Sequence, residues 1–155
     1  MNTQEQNSNP QANQSIEEIK EQIIEEFSIF DDWMDKYDYL IEQGKSLNSL
    51  PEEHKTKGNL IEGCQSNVWL RGYLKGDKLM FEADSDAIIT KGLIALLIRV
   101  FSNQSPGDIE KADTKFIDKI GLKEQLSPTR SNGLMSMIKQ MKLYATVLKE
   151  KLNNN

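Results

Sequence analysis

Apolar residues return at three- and four-residue intervals from Ile16 through Ile19, Ile23, Phe27 and Phe30, the repeat of one face of an α-helix. Ser15 stands just before this stripe with Glu18 three residues on, the spacing of a capping box. A second helical stripe follows in Trp33, Tyr37, Leu40 and Ile41, with Asp31 or Asp32 as its cap and Gly44 expected to close it. From Leu47 to Gly58 the pattern has no period and includes Pro51, so this stretch reads as an irregular connection.

The period then changes. Val68 to Lys75 and Lys78 to Asp84 are rich in aromatic and apolar residues, and Gly76-Asp77 lies between them as a two-residue hairpin turn. In the second segment Leu79, Phe81 and Ala83 alternate with Lys78, Met80 and Glu82, the signature of a half-buried strand. Leu60 to Glu62 is expected to add a further strand. That makes a small antiparallel sheet of about three strands and places Cys64 in the loop between two of them.

Helical pattern resumes after Ser85-Asp86, a natural cap. Ala87 to Phe101 is apolar nearly all round, which predicts a central, buried helix. Gly92 within it costs about 1 kcal/mol relative to Ala, and so implies a close packing contact. Ser105-Pro106 opens a short helix with proline at its first position. Asp113 to Ile120 makes another, stopped by Gly121. Ser127-Pro128 opens the last, whose apolar side runs through Leu134, Ile138, Met141, Tyr144 and Leu148 to near Leu152. Helices, then a small sheet, then helices again define an α+β fold with helices packed on one sheet face. No internal repeat is visible.

At 155 residues the chain is long enough for one domain with a real core, expected over residues 15–152. Residues 1–14, rich in Asn and Gln and containing Pro10, read as a disordered tail. A net charge of −5 and a pI near 5.0 argue against a nucleic-acid partner. Met1 to Ser15 has no apolar stretch, and Ala87 to Phe101 is too short to span a bilayer and carries Lys91 and Arg99. No membrane partner is therefore expected, and the localisation is read as cytoplasmic.

The chain has one cysteine, Cys64. A lone thiol forms no internal disulfide, which fits a reducing compartment. Taken by itself a single cysteine is more often an inert small hydrophobe in a core. Here Gly63 precedes it and Gln65, Ser66 and Asn67 follow, a composition of loops. One Cys and one His fall short of a zinc shell, and no glycine-rich phosphate loop of standard spacing occurs, so neither a bound metal nor a nucleotide is expected. A thiol enzyme would need a base, and His54 is the only histidine. Thiolate is the reactive form. Glu62 would disfavour it if close, and Arg71, Lys75 and Arg130 are the cations able to oppose that. Exchange chemistry suits an isolated thiol better, because a second cysteine would resolve a persulfide to a disulfide and lose its sulfur.

The stretch Leu60-Ile-Glu-Gly-Cys-Gln-Ser-Asn-Val-Trp69 closely resembles the cysteine loop of the SufE family of sulfur-acceptor proteins. Asp84-Ser-Asp-Ala87, Lys91-Gly-Leu-Ile-Ala95 and Leu126-Ser-Pro-Thr-Arg-Ser-Asn-Gly-Leu134 agree in order and spacing, and carry the resemblance from about Ile16 to Lys151. The resemblance implies a protein that takes sulfane sulfur from a cysteine desulfurase of the SufS type, stimulates that enzyme, and passes the sulfur to an iron–sulfur scaffold complex. It implies Cys64 as the acceptor. Gly63, Gln65, Ser66, Asp84, Ser85, Asp86 and Arg130 would shape the loop or dock the partner. No cofactor is expected on this chain, since pyridoxal phosphate belongs to the desulfurase, and a monomer or weak homodimer is expected. The family fold is shared with scaffolds of the IscU type, which use several cysteines where this chain has one. Its paralogues serve a different desulfurase, so another sulfur pathway stays open, as does a stand-alone thiol enzyme using Cys64 and His54.

Overall fold

The computed structural model describes residues 14–48 and 50–154. The tail expected over residues 1–14 lies outside them except for Gln14, whose carbonyl accepts a hydrogen bond from Gln104 Nε2 at 2.9 Å. Helix α1 (Ile16–Ser28) opens with the expected capping box between Ser15 and Glu18 and buries Ile16, Ile19, Ile23 and Phe27. Helix α2 (Trp33–Lys45) is capped by Asp32, which accepts from the Asp35 N–H at 3.0 Å. Two short 3-10 turns, Glu52–His54 and Lys57–Asn59, occupy the irregular connection.

Strands β1 (Val68–Lys75) and β2 (Lys78–Ser85) form an antiparallel hairpin in which Lys75 faces Lys78 and Val68 faces Ser85. Gly76 takes φ +64° in the intervening turn, where a side chain would be strained. The α+β class stands, but the strand count needs correction. Among the described residues the sheet has two strands, and Leu60 makes only an isolated bridge to Trp69. The segment cannot continue as a strand because Glu62 and Gly63 turn away at once, Gly63 with φ +92°. Val68, Leu70, Leu79, Phe81 and Ala83 are buried, which makes one sheet face part of the core.

Helix α3 (Ile88–Phe101) lies in that core, with Leu93, Ile94, Leu96, Leu97, Val100 and Phe101 buried. The Ser85-Asp86 pair does not cap it through a side chain. Ala87 occupies the cap position, Ser85 ends β2, and Asp86 bonds the cysteine loop instead. The chain continues through α4 (Pro106–Lys111), α5 (Lys115–Lys119) and α6 (Leu122–Gln125) to α7 (Pro128–Asn153). Helix α6 follows Gly121, which takes φ +82° beside the Trp33 ring. Along α7 Leu134, Ile138, Met141 and Ala145 are buried, and Tyr144 meets Phe81 edge-on at 6.0 Å between ring centres.

Gly44 does not end α2, which runs on to Lys45 with Ser46 as its C-cap. Its role is proximity: a Cβ on Gly44 would sit 2.9 Å from the Gly92 nitrogen. A Cβ on Gly92 would sit 2.9 Å from Leu40 Cγ and closer still to the Leu40 carbonyl oxygen. Arg99 of α3 reinforces the contact, pairing with both Glu26 oxygens at 2.8 Å and with Gln43 at 3.1 Å. Gly92→Ala would ordinarily gain helix propensity of about 1 kcal/mol, yet here the added methyl meets immovable backbone. We expect a net loss of about 2 kcal/mol and a fall in Tm of roughly 4–8 °C, read by thermal unfolding; an unchanged or raised Tm would contradict the contact.

Candidate functional site

Cys64 sits on a loop tied at both ends. On the near side the Ile61 N–H donates to the Val68 carbonyl at 2.9 Å. On the far side Asn67 donates its backbone N–H to Asp86 Oδ1 at 3.1 Å and its side-chain amide to Asp86 Oδ2 at 2.9 Å. The Asn67 carbonyl in turn accepts from Ser85 Oγ at 2.8 Å. Between these anchors Gly63 takes a left-handed backbone angle and lies against α7, where a Cβ on it would be 2.5 Å from Ser136 Oγ. Glycine is the residue that tolerates both demands.

The loop lays Cys64 over the second turn of α7. Its S–H donates to the Gly133 carbonyl at 3.6 Å, and a Cβ on Gly133 would be 3.4 Å from the sulfur. A small cleft of about 80 Å³ surrounds the thiol, walled by Leu93 and Met137 and rimmed by Gln65, Ser66, Thr90, Thr129 and Arg130. Cys64 is half-buried, and that burial pushes its thiol pKa up, so the resting group is protonated at neutral pH.

The residues expected around the thiol separate into three groups. Gln65, Ser66 and Arg130 line the cleft with it. Ser85 and Asp86 hold the loop through Asn67. Asp84 is turned inward, 6 % exposed, between Lys55 and Lys91 at 3.2 Å each. Burial alone would raise its carboxyl pKa, but the Ser85 N–H and the two lysines outweigh this and hold it below the ordinary carboxylate range. Asp84 is therefore an internal brace rather than a group displayed for docking.

His54 is not brought to the thiol. It closes the first 3-10 turn, its carbonyl accepts from Asn59 Nδ2 at 2.7 Å, and it does not line the cleft. Of the three cations weighed, Arg71 is engaged by Glu82 at 2.7 Å and stacks on Tyr73, and Lys75 is exposed at the hairpin end. Arg130 alone among them reaches the cleft. Glu62 lines a neighbouring groove with Ser136, Lys139 and Leu143. Among the described residues no group of three or more His, Cys, Asp or Glu side chains is placed to hold a metal.

Sequence reading passed over Thr90, Leu93, Gly133 and Met137 as site residues. Two carried a signal: Thr90 is a hydroxyl in an apolar helix, and Gly133 is a glycine inside a long helix. Asn67 was visible as part of the loop, but its partner lies nineteen residues on and only the fold joins them. Because burial raises the thiol pKa, alkylation of Cys64 in the folded chain should show its inflection above the usual thiol value of about 8.5. Unfolding in denaturant should return it there, while His54→Ala should leave the folded profile unchanged. An inflection below the ordinary value, or one moved by His54→Ala, would contradict this geometry.

Comparison with known proteins agrees with the fold and gives the family. Residues 21–145 match the SufE family, described as an Fe-S metabolism associated domain. An uncharacterized SufE-like protein of Rhizobium meliloti (strain 1021) is 44 % identical over 127 residues, covering 79 % of this chain and 91 % of its own length. The chloroplastic/mitochondrial SufE-like protein 1 of Arabidopsis thaliana is 37 % identical over 142 residues, 89 % of this chain but 38 % of that longer protein. The solution structure of a hypothetical protein from Thermus thermophilus shares the fold, with a TM-score of 0.70 at 18 % identity over 83 % of this chain and 93 % of that one. Among the described residues no helix is long and apolar enough to cross a membrane. With the family pattern spanning most of its length and the Rhizobium meliloti relative 44 % identical over 91 % of its own, the chain belongs to the SufE family of iron–sulfur metabolism.

Proposed function

We propose that this chain is a sulfur acceptor and carrier. Cys64 takes sulfane sulfur from the persulfide of a pyridoxal-phosphate-dependent cysteine desulfurase of the SufS type, and so stimulates that enzyme by clearing it. The sulfur then passes to a cysteine of an iron–sulfur scaffold complex. The reading rests on the setting of the chain's one thiol. It lies half-buried on a tethered loop with a cation at the rim and no histidine lining its cleft.

The chemistry is exchange. Cys64 thiolate attacks the outer sulfur of the donor's persulfide, a bond forms between Cys64 Sγ and that sulfur, and the sulfur–sulfur bond in the donor breaks. The donor cysteine leaves as thiolate and takes up the proton given up by Cys64. One sulfur–sulfur bond replaces another, so no oxidant or reductant is consumed. Delivery to a scaffold cysteine is the same step with Cys64 as the leaving group.

Burial gives the resting thiol its protection and withholds the thiolate that attack requires. Docking therefore has to change the surroundings of Cys64. The left-handed Gly63 and the polar side chains of Gln65 and Ser66 supply a segment that can swing outward while Asn67 and Ile61 hold its ends. The cleft beside the thiol, about 80 Å³, is well below the roughly 300 Å³ and more of a cofactor pocket, which supports leaving pyridoxal phosphate with the donor. A single free thiol suits the reducing cytoplasm, where we place the reaction.

Incubation with a cysteine desulfurase, pyridoxal phosphate and cysteine, without reductant, should add one or more sulfur atoms to the intact mass of the wild type and none to Cys64→Ser. Desulfurase turnover should rise with the wild type only. A wild type that gains no sulfur and gives no stimulation would sink the reading for that desulfurase.

A further inference from the structure

The two strands of the sheet differ in what covers their free edges. In a hairpin closed by a two-residue turn the flanking pair, here Lys75 and Lys78, exchanges its main-chain hydrogen bonds. Arg71, Tyr73 and Lys75 therefore bond β2, and Leu70, Gly72 and Leu74 turn their main-chain groups outward. On β2 the corresponding groups are matched. The Leu79 N–H donates to the Gln104 carbonyl and its carbonyl accepts from the Asn103 N–H, both at 2.8 Å, and the Phe81 N–H donates to Ser102 Oγ at 2.9 Å. On β1 only the start of the edge is covered. The Val68 carbonyl accepts from the Ile61 N–H at 2.9 Å, and the Leu70 carbonyl from the Tyr144 hydroxyl at 3.4 Å. Before Leu60 the chain curls into the 3-10 turn Lys57–Asn59 instead of continuing beside β1. Among the described residues the outward main-chain groups of Gly72 and Leu74 have no partner. An uncovered edge of this kind is a template for another strand.

Beside this edge lies a groove of about 630 Å³ between residues 57–62 and α7, with Leu60, Ile61 and Leu143 in its lining. Leu143 and Val147, one turn apart on α7, are 53 % and 57 % exposed. They flank Tyr144, whose ring lies 3.0 Å from where a Cβ on Gly72 would stand, so the apolar pair is next to the uncovered part of the edge. Charge narrows the occupant. Lys57 and Lys139 line the groove, and Lys75 and Lys78 are exposed at the hairpin end. Among the described residues none of these lysines has an ion pair. Glu62 is the acid among the residues lining the groove, and Arg71 and Glu82 neutralise each other at 2.7 Å. On a chain of net charge −5, an edge flanked by lysines repels a second copy of itself and suits a negative partner.

We propose that the outward edge of β1 at Gly72 and Leu74 docks an extended acidic segment of a partner protein, which adds a strand to the sheet and lays alternate apolar side chains on Leu143 and Val147. Main-chain hydrogen bonds to Gly72 and Leu74 give affinity for an extended chain, and the flanking lysines select one with Glu or Asp between its apolar residues. The groove beside this edge and the cleft of Cys64 share no lining residue, so a strand added here does not occupy the cleft. The contact is independent of the sulfur step.

The probe is a synthetic peptide of alternating Glu and Val, capped at both ends, titrated into the full isotope-labelled chain and followed by amide NMR. The Gly72 and Leu74 amides should shift saturably and gain protection from hydrogen exchange, and the affinity should fall as salt is raised. The same peptide N-methylated at alternate residues cannot complete the ladder and should not bind. A peptide with Lys in place of Glu should bind at least about tenfold more weakly. The acidic peptide should lose at least about tenfold in affinity for the double variant Leu143→Asp, Val147→Asp. If that variant fails to fold, Lys57→Glu with Lys139→Glu, at exposed positions, must give the same loss. No change at Gly72 and Leu74 with the acidic peptide at millimolar concentration, or equal binding of the N-methylated peptide, overturns the inference. Protection of these amides that grows with protein concentration alone also overturns it, and gives the edge to a second copy. None of these outcomes bears on the acceptor reading.

Discussion

The backbone contact between α2 and α3 at Gly44 and Gly92 sets where the site's parts lie. Two helices approach this closely only where neither carries a side chain between them. Once α3 is seated there, the residues just before Gly92 have fixed directions. Lys91 reaches the Asp84 carboxylate, and Thr90 comes to the cysteine cleft. The N-terminus of α3 follows directly on Asp86, which holds the loop through Asn67. A helix displaced by the width of one methyl would move all three, since close-packed interiors pass strain along rather than absorb it.

Around that helix the loop is hydrogen-bonded where it begins and ends, and sparsely between, among the described residues. Asp84 is braced by two lysines, one of which also lies over the Trp69 ring at 5.6 Å, so the strand that carries the loop's far anchor is tied to the chain preceding its near one. Among the described residues the tip of the loop has one hydrogen bond, the weak Cys64 S–H to Gly133, and at Gly63 it lies so near α7 that a Cβ would meet Ser136 Oγ. The proposed carrier role needs this division. A loop loose throughout would expose its cargo to small thiols, and one held rigidly would never present its sulfur to a partner. Burial adds a chemical lock to the mechanical one, because a thiol held protonated reacts poorly until its surroundings change.

Much of this was legible in the chain itself. The capping box at Ser15, the stripe from Ile16 to Phe27, the hairpin turn at Gly76-Asp77 and the apolar run of α3 are local patterns, and local patterns report which face of an element is buried. The same patterns misled where a residue had two physical uses. Gly44 has the right place for a helix stop and serves a helix contact, and Ser85-Asp86 has the chemistry of a cap and clamps a loop. Leu60 to Glu62 looked like a strand because apolar residues precede a turn, but a strand requires a partner of matching length, and only Leu60 finds one.

Read alone, the order of residues establishes the helical and strand faces and the single thiol with its loop-like neighbours, and it makes exchange chemistry the favoured expectation while leaving a thiol enzyme with His54 open. It took the folded chain to bring Cys64 against Gly133, sixty-nine residues away, and to stand Arg130 rather than Arg71 or Lys75 at the cleft. Folding likewise leaves His54 outside that cleft and brings Thr90 of α3 to its lining. Periodicity along a chain records how each segment divides core from solvent, whereas the meeting of distant side chains depends on how every buried face packs against the others at once.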